Sequence, residues 1–279
     1  MVRAMLAASI VGALTASIGV FVVLRRLSYI GHGLAHSIFG GAVVSFVAGI
    51  NFYIGATIWG MLSVFLINGA SRRRQISGDA AVGIITTSAF AIGVLLISRN
   101  RTFTRDFEAA LFGEILGISD TDLLVTAVAL AAVGLALFVF WKQLVFTTFD
   151  QEVAGAYGVP IRTVEGVFSL ALATTVIAAL QVLGVTLIAA ALVIPPVAAR
   201  LLTDSFSRMF AIAVVLGTLT GFFGAYLSWF VDSSSGATIV LLQAAVFVLA
   251  LSYVAARSRY RRRGMRETER IAGLERLLN

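Results

Sequence analysis

The stretch YIGHGLAHSIFGGAVVSFVAG, residues 29–49, decides the class of fold. It contains no Lys, Arg, Asp or Glu, but it holds both histidines of the chain, His32 and His36. About 20 apolar residues of helix are enough to cross a bilayer core about 30 Å thick. The stretch therefore predicts a membrane-spanning helix that carries two imidazole groups.

The rest of the chain has the same character. Of its 279 residues, 59% are hydrophobic and 13% are charged, whereas a soluble domain has about 25% charged residues. No polar interval is long enough for a separate globular domain, so we predict one all-α, polytopic membrane domain over residues 1–256 and a basic tail over 257–279. The absence of cysteine excludes disulfides and thiolate metal sites, so any metal must use nitrogen or oxygen ligands.

Nine apolar runs are long enough to be membrane-spanning helices when arginines and turn residues are taken as boundaries. A further apolar segment, 107–118, precedes the fifth run and could form a short half-helix. The alternative is therefore eight spans plus a re-entrant helix. The nine predicted spans are 5–24, 29–49, 54–70, 80–98, 121–141, 163–183, 185–200, 209–230 and 236–256.

The basic residues predict the orientation. The tail holds eight arginines against Glu267, Glu269 and Glu275, and a basic segment directly after a span is typical of a cytoplasmic end near anionic lipid. Because the positive charge is concentrated there, the sequence argues against nucleic-acid binding. Nine spans then place the N-terminus outside and the C-terminus in the cytoplasm. The other basic residues on the cytoplasmic side are Arg25, Arg26, Arg72, Arg73, Arg74, Lys142, Arg162, Arg200 and Arg208, and the exceptions on the outer side are Arg99, Arg101 and Arg105.

His32 and His36 are the strongest candidate ligands for a metal ion. Four residues are about one helical turn, so both rings project from the same face. Counted from Arg26 at about 1.5 Å per residue, the pair lies about 9 to 15 Å into the hydrocarbon layer. Titratable groups at that depth are costly and are functional candidates by default. The pattern favours a metal or proton role over two polar groups hydrogen-bonded across a helix interface.

Two further places are candidates for a pathway or gate. Pro195 and Pro196 each remove a backbone donor, so the seventh span is expected to be broken or kinked there. Irregular backbone in a membrane often lines a cavity, although a plain structural kink is an equally good interpretation. Glu114 and Asp232 are candidate oxygen ligands or gate residues, and solvated helix ends are the alternative for both.

The loop after the fifth span predicts a short capped helix. Asp150 suits an N-cap, Glu152 a first turn, and Gly158 a helix end before Pro160. At the cytoplasmic surface such a helix is either a docking site for another protein or only a capped loop. The chain has no GxxxxGK[ST] pattern and a single lysine, Lys142, so it does not bind ATP through a P-loop.

Five motifs, in order along the chain, together resemble the permease subunits of zinc, manganese and iron ABC importers. They are LRRLSYIGHGLAH (24–36), LFGE (111–114), DQEVAGAYG (150–158), IPPVAAR (194–200) and GATIV (236–240). The resemblance implies a type II-like ABC importer permease in a bacterial inner (plasma) membrane, a transport subunit rather than an enzyme. It also implies a homodimer, two cytoplasmic ATPase subunits, an extracytoplasmic metal-binding protein, and no permanently bound cofactor.

The resemblance also implies roles for residues. The segment with His32 and His36 would line the ion route. The family pattern usually reads Gly-Asp-x-Leu-x-His, so His32 stands where an aspartate is expected. Two neutral imidazoles favour zinc over manganese, and two copies across a dimer axis would offer four imidazoles to a tetrahedral ion. The loop helix would couple the ATPase to the permease through Asp150, Glu152, Ala154, Gly155 and Gly158.

Two other classes of function remain open from the sequence. A proton- or ion-coupled secondary metal transporter would use the histidines as proton relays and would need no ATPase, so copurification with an ATP-binding subunit separates the two classes. A membrane scaffold without transport would leave metal uptake unchanged when the chain is deleted.

Overall fold

The computed structural model describes residues 1–71, 78–99, 111, 113 and 117–278, and these residues form eleven helices and no strand. The helices are α1 (Val2–Leu24), α2 (Ser28–Val47), α3 (Phe52–Ser71), α4 (Gly78–Arg99), α5 (Asp120–Val139), α6 (Trp141–Phe149), α7 (Gln151–Ala156), α8 (Ile161–Leu183), α9 (Ile188–Leu202), α10 (Phe206–Val231) and α11 (Ser235–Leu278).

Each of the nine predicted spans coincides with one helix. Within the part of the chain that the structure describes, seven helices are long and apolar enough to cross a membrane. The other two predicted spans are shorter apolar helices, Phe52–Ile67 within α3 and Ile188–Leu202 in α9. The all-α, polytopic class is therefore confirmed. The segment 107–118, predicted as a half-helix, lies mostly outside the described residues.

Helix α1 packs against α9 and α10 through small residues. A Cβ added at Gly12 would lie 2.1 Å from the carbonyl oxygen of Gly217 in α10, and a Cβ on Gly217 would lie 2.3 Å from the carbonyl oxygen of Gly12. A Cβ added at Gly221 would likewise lie 2.3 Å from the carbonyl oxygen of Ala8. Backbone therefore meets backbone along this crossing. Such contacts are typical of membrane helices, where apolar burial gives little drive for association.

Helix α9 is a single helix from Ile188 to Leu202, so it is not broken at Pro195 and Pro196. Pro196 has no N–H to donate to the carbonyl of Leu192, four residues earlier. That carbonyl faces α1, where a Cβ on Gly19 would lie only 2.0 Å from its oxygen. A Cα–H···O contact suits this approach. The physical reason that the helix continues is that a neighbouring helix covers the freed carbonyl.

The bundle has two distinct ends. Phe21, near the end of α1, packs on Phe206 and Phe210 at the start of α10, with ring centroids 5.7 and 6.4 Å apart. This end, which also holds Arg25 and Arg162, is called the basic end below. At the opposite end, two contacts fasten the start of α5. Arg3 pairs with Asp120 at 3.0 Å, and the Tyr53 hydroxyl donates to Asp122 at 2.5 Å.

Candidate functional site

Glycines place α2 between α3 and α4. A Cβ on Gly40 would lie 2.1 Å from the carbonyl oxygen of Ala89 in α4, and a Cβ on Gly41 would lie 2.0 Å from the Cβ of Trp59 in α3. Near the start of the helix, Gly31 faces the side chain of Leu192 in α9, 3.1 Å from the added Cβ. These contacts fix which face of α2 is left for the histidines.

His32 and His36 come together in the first turns of α2, as their spacing predicts. Their Nε2 atoms are 3.2 Å apart, and the ring planes meet at 87°. Two nitrogen ligands of one tetrahedral ion, with bonds of about 2.0–2.1 Å, are themselves about 3.3–3.4 Å apart. The observed distance suits two ligands of one ion as well as an N–H···N hydrogen bond between the rings.

The pair opens to the surface of the chain. His32 is exposed and His36 is half-buried. Helix α2 begins at Ser28, after a turn in which Arg26 has a φ of 58°. The two histidines therefore lie about 6 and 12 Å along the helix from its first residue, less than a count from Arg26 predicts, because the residues before Ser28 are not helical.

The second ring nitrogen of His36, Nδ1, faces the interior of the bundle and not His32. The ring stands edge-on to Phe90 of α4, with centroids 4.8 Å apart, and Nδ1 is buried with no hydrogen-bond partner among the described residues. In resident metal sites the second ring nitrogen normally donates to a carboxylate or carbonyl, which strengthens the metal–nitrogen bond. A ring that bound an ion through Nε2 would lack that support here. Weak holding is what a transport route requires.

The described residues supply only part of a coordination shell. Among the residues that the structure describes, no group of three or more His, Cys, Asp or Glu side chains could hold a metal ion. A tetrahedral ion needs four ligands. The described residues alone therefore do not complete a tetrahedral site at the pair.

Asp232, Pro195 and Pro196, the other predicted pathway residues that the structure describes, do not join the histidines. Asp232 ends α10 in a left-handed conformation, φ 50°, and is exposed at the opposite end of the bundle. Pro195 and Pro196 are buried in α9, and Pro196 faces α1 at Gly19. Glu114 lies outside the described residues.

The loop after α5 contains the predicted capped helix, α7. The Asp150 side chain accepts a hydrogen bond from the Val153 N–H at 2.9 Å, which is the expected N-cap. At the other end, Gly158 has a φ of 81°, its N–H donates to the carbonyl of Gly155, and the Val159 N–H donates to the carbonyl of Ala154. These two bonds form a Schellman motif.

The outer surface of this loop is exposed and partly apolar. Ala154 is fully buried, whereas Glu152 and Gly155 are exposed. Tyr157 is 80% exposed and Phe149 is 64% exposed, so aromatic surface lies on both sides of the helix. The loop therefore presents a preformed and exposed surface at this end of the bundle.

Arg25 is a second feature of the basic end, and the sequence indicated only a boundary charge there. Its side chain is 8% exposed and pairs with Glu165 of α8 at 2.8 Å. Its guanidinium also donates to the hydroxyls of Thr147 and Thr148 in α6, both at 2.9 Å, and lies 4.5 Å from the centre of the Phe168 ring. Burial lowers the pKa of Arg25, and the charge of Glu165 opposes that effect. One feature of the sequence could have indicated this ion pair: Glu165 is an acid inside a predicted span, and such an acid needs a cationic partner.

With this geometry established, comparison with known proteins identifies the class of the chain. Residues 1–254 match the ABC 3 transport family. The chain belongs to that family. It is 35% identical over 251 residues to the manganese transport system membrane protein MntC of Halalkalibacterium halodurans, a match that covers 90% of this chain and 86% of that protein.

Two further relatives extend the comparison. The chain is 34% identical over 253 residues to the chelated iron transport system membrane protein YfeC of Yersinia pestis, covering 91% of this chain and 86% of that protein. Among solved structures it is similar to PsaBC from Streptococcus pneumoniae, determined in complex with Fab, with a TM-score of 0.82, 31% identity and 89% of each chain covered.

The family membership confirms the resemblance found in the five motifs. The chain is a multi-pass membrane permease of a bacterial metal ABC importer, and it is a transport component rather than an enzyme. The two curated relatives are named for manganese and for chelated iron. Neither is named for zinc, so the predicted preference for zinc gains no support from them.

Proposed function

We propose that this permease conducts divalent metal ions and that His32 and His36 bind the ion transiently on its way through the membrane. The observation that carries the proposal is the pair of Nε2 atoms 3.2 Å apart on an exposed face of α2. Membership in an ABC family supports transport driven by ATP over the ion-coupled alternative. In that scheme, hydrolysis takes place on separate ATPase subunits.

Zinc is the ion that the donors of one chain favour. Imidazole nitrogens bind zinc more tightly than manganese, and two neutral rings give no carboxylate oxygen to a harder ion. Manganese or iron is the second candidate, and the names of the relatives favour it. The two candidates differ in a measurable way, because they predict different metal contents in cells that depend on this permease.

A homodimer would complete the site that the described residues of one chain leave incomplete. Two copies with their histidine faces opposed would offer four imidazoles, the number that a tetrahedral ion takes. Two cytoplasmic ATPase subunits would supply energy, and an extracytoplasmic metal-binding protein would deliver the ion. The surface of α7, with Tyr157 and Phe149 exposed beside it, would dock the ATPase.

The basic end is proposed to face the cytoplasm. Helix α11 continues from its membrane span, Ser235–Arg257, to Leu278 as one helix of 44 residues. Residues 1–256 would then be the transmembrane permease domain, and the basic tail 257–279 would leave the membrane on the cytoplasmic side, near anionic lipid headgroups.

The direct test is metal accumulation in cells whose only permease of this type carries His32→Ala and His36→Ala together. We expect the loss of most ATP-dependent uptake of zinc, manganese or both at equal levels of membrane-inserted protein. Val47→Ala is the matched control, because Val47 is an exposed residue of the same helix without a ligand atom. Normal accumulation by the double variant would refute the role of the pair.

A further inference from the structure

The buried Arg25 joins parts of the chain that the proposed function assigns to different tasks. Three of its partners lie on helices that flank the docking helix α7. Thr147 and Thr148 are in the last turn of α6, immediately before the loop, and Glu165 is near the start of α8, immediately after it. Any displacement of α7 therefore moves groups that are bound to one guanidinium.

The two threonines hold this arrangement firmly. Each hydroxyl accepts from Arg25 and donates in turn to the carbonyl of Leu144, at 3.2 Å from Thr147 and 2.6 Å from Thr148. Leu144 is buried. An arginine presents several N–H donors in a planar fork, which a lysine cannot do. The guanidinium thus binds the last turn of α6 and the carboxylate of Glu165 in α8 in one geometry.

On its other side Arg25 is connected to the histidine helix by a short and rigid turn. The Arg26 N–H donates to the carbonyl of Val23 at 3.1 Å, and the Leu27 N–H donates to that of Val22 at 2.8 Å. Arg26 adopts the left-handed conformation without being glycine. Helix α2 starts at Ser28, one turn before His32. A tightly bonded turn transmits a displacement that a flexible loop would absorb.

We propose that Arg25 is a positioning residue that transmits movement of the docking helix α7 to α2 and thereby to the histidine pair. The inference rests on the proposed function, because it requires an ATPase on α7 and an ion at His32 and His36. It adds a defined mechanical connection between them. The side chain is 8% exposed, and such a buried charge needs partners: Glu165 neutralises it, and the hydroxyls of Thr147 and Thr148 accept two further N–H groups.

The test is the ratio of manganese or zinc transported to ATP hydrolysed, measured on the complete complex of permease and ATPase in proteoliposomes. In Arg25→Met we expect the ATPase to remain bound and to hydrolyse ATP, while the ratio falls by about 3-fold to 30-fold. Arg25→Lys should give an intermediate ratio, because the lysine ammonium can keep the ion pair with Glu165 but cannot hydrogen-bond to both threonines. Arg208→Gln is the control, since it removes a charge from an exposed residue at the start of α10, outside this connection, and should leave the ratio unchanged.

A merely structural role would lower transport and hydrolysis together and leave their ratio at the wild-type value, and that result would overturn the inference. The double variant Arg25→Met with Glu165→Gln guards against misfolding, because it leaves neither charge unpaired. An assembled double variant with a wild-type ratio would likewise overturn it.

Variants of the α7 surface distinguish the two proposals. If they release the ATPase while the Arg25 variants stay coupled, only this inference fails; if the wild-type chain binds no ATPase, the proposed function fails as well.

Discussion

Two neutral imidazoles bind an ion without neutralising any of its charge. At the scale of single residues, this is the main chemical consequence of having His32 and His36 as neighbours, 3.2 Å apart between their Nε2 atoms. The buried Nδ1 of His36 has no hydrogen-bond partner within the described part of the chain, so no described group strengthens the hold of that ring on an ion. The site is suited to brief occupancy by an ion that prefers nitrogen.

Changing one ring to a carboxylate should change the selectivity. We expect His32→Asp to raise the ratio of manganese to zinc accumulated by about tenfold, or about 1.4 kcal/mol, because a carboxylate adds charge and a hard oxygen ligand. Elemental analysis of cells grown with both metals measures the ratio. His32→Asn has a similar shape without the charge and serves as the control. An unchanged ratio in His32→Asp would separate the histidine from metal choice.

The contact of Gly19 with α9 should be sensitive to a single methyl group. We expect Gly19→Ala to lower the free energy of unfolding by about 1–3 kcal/mol, since the new Cβ would overlap the Leu192 carbonyl and the helices must separate. The readout is a lower midpoint of thermal unfolding in detergent. Gly134→Ala is the matched control, because a Cβ there has no atom within 4 Å and alanine favours helix. Equal midpoints for the two variants would contradict the close contact.

At the scale of helices, hydrophobic patterning predicted where the spans lie but not how they pack. Charged residues cannot be spread through a span, so the nine apolar runs gave nine helices at nearly the predicted positions. The separate helix α6, which begins at Trp141 after the end of α5, was not predicted, nor was the continuation of α11 to Leu278. The sequence predicts a break or a kink at the two prolines, because it does not show that a neighbouring helix covers the Leu192 carbonyl; the structure has no break there.

The functional features were predicted unevenly for a similar reason. Helical periodicity alone places His32 beside His36, and turn chemistry alone places the caps of α7 at Asp150 and Gly158. The partners of Arg25 are more than 100 residues away along the chain, so no local pattern reports them. The lesson is that local rules predict groups within one helix, whereas contacts between helices require the coordinates.

The docking helix depends on its cap. Six residues form no stable helix on their own, so we expect Asp150→Ala, at a cost of about 1 kcal/mol, to weaken copurification of the ATPase. Asp150→Asn keeps a good N-cap and removes the charge, so it should retain the partner. Loss of the ATPase in both variants would show that the charge of Asp150, and not the shape of α7, is what the partner needs.

At the scale of the whole molecule, the orientation in the membrane can be tested without first removing native residues. The chain has no cysteine, so single cysteines can be introduced at exposed positions of opposite ends, Gln151→Cys and Ser233→Cys. With a membrane-impermeant maleimide on intact cells, we expect labelling of Ser233→Cys only, and labelling of Gln151→Cys after permeabilisation. The reverse pattern would invert the proposed orientation and remove α7 from the cytoplasm.

The glycine contacts also limit how the molecule can move. Backbone meets backbone where α1 crosses α9 and α10, and again where Gly40 of α2 meets Ala89 of α4. Where main chains are in direct contact, no side chains lie between the helices to repack. Neither the group α1, α9 and α10 nor the pair α2 and α4 can therefore deform much internally. At Gly31, one residue from His32, α2 instead meets a side chain of α9, that of Leu192. If α2 and α4 slid as a rigid body along α9, the surroundings of the ion would open and close without any change inside either group of helices.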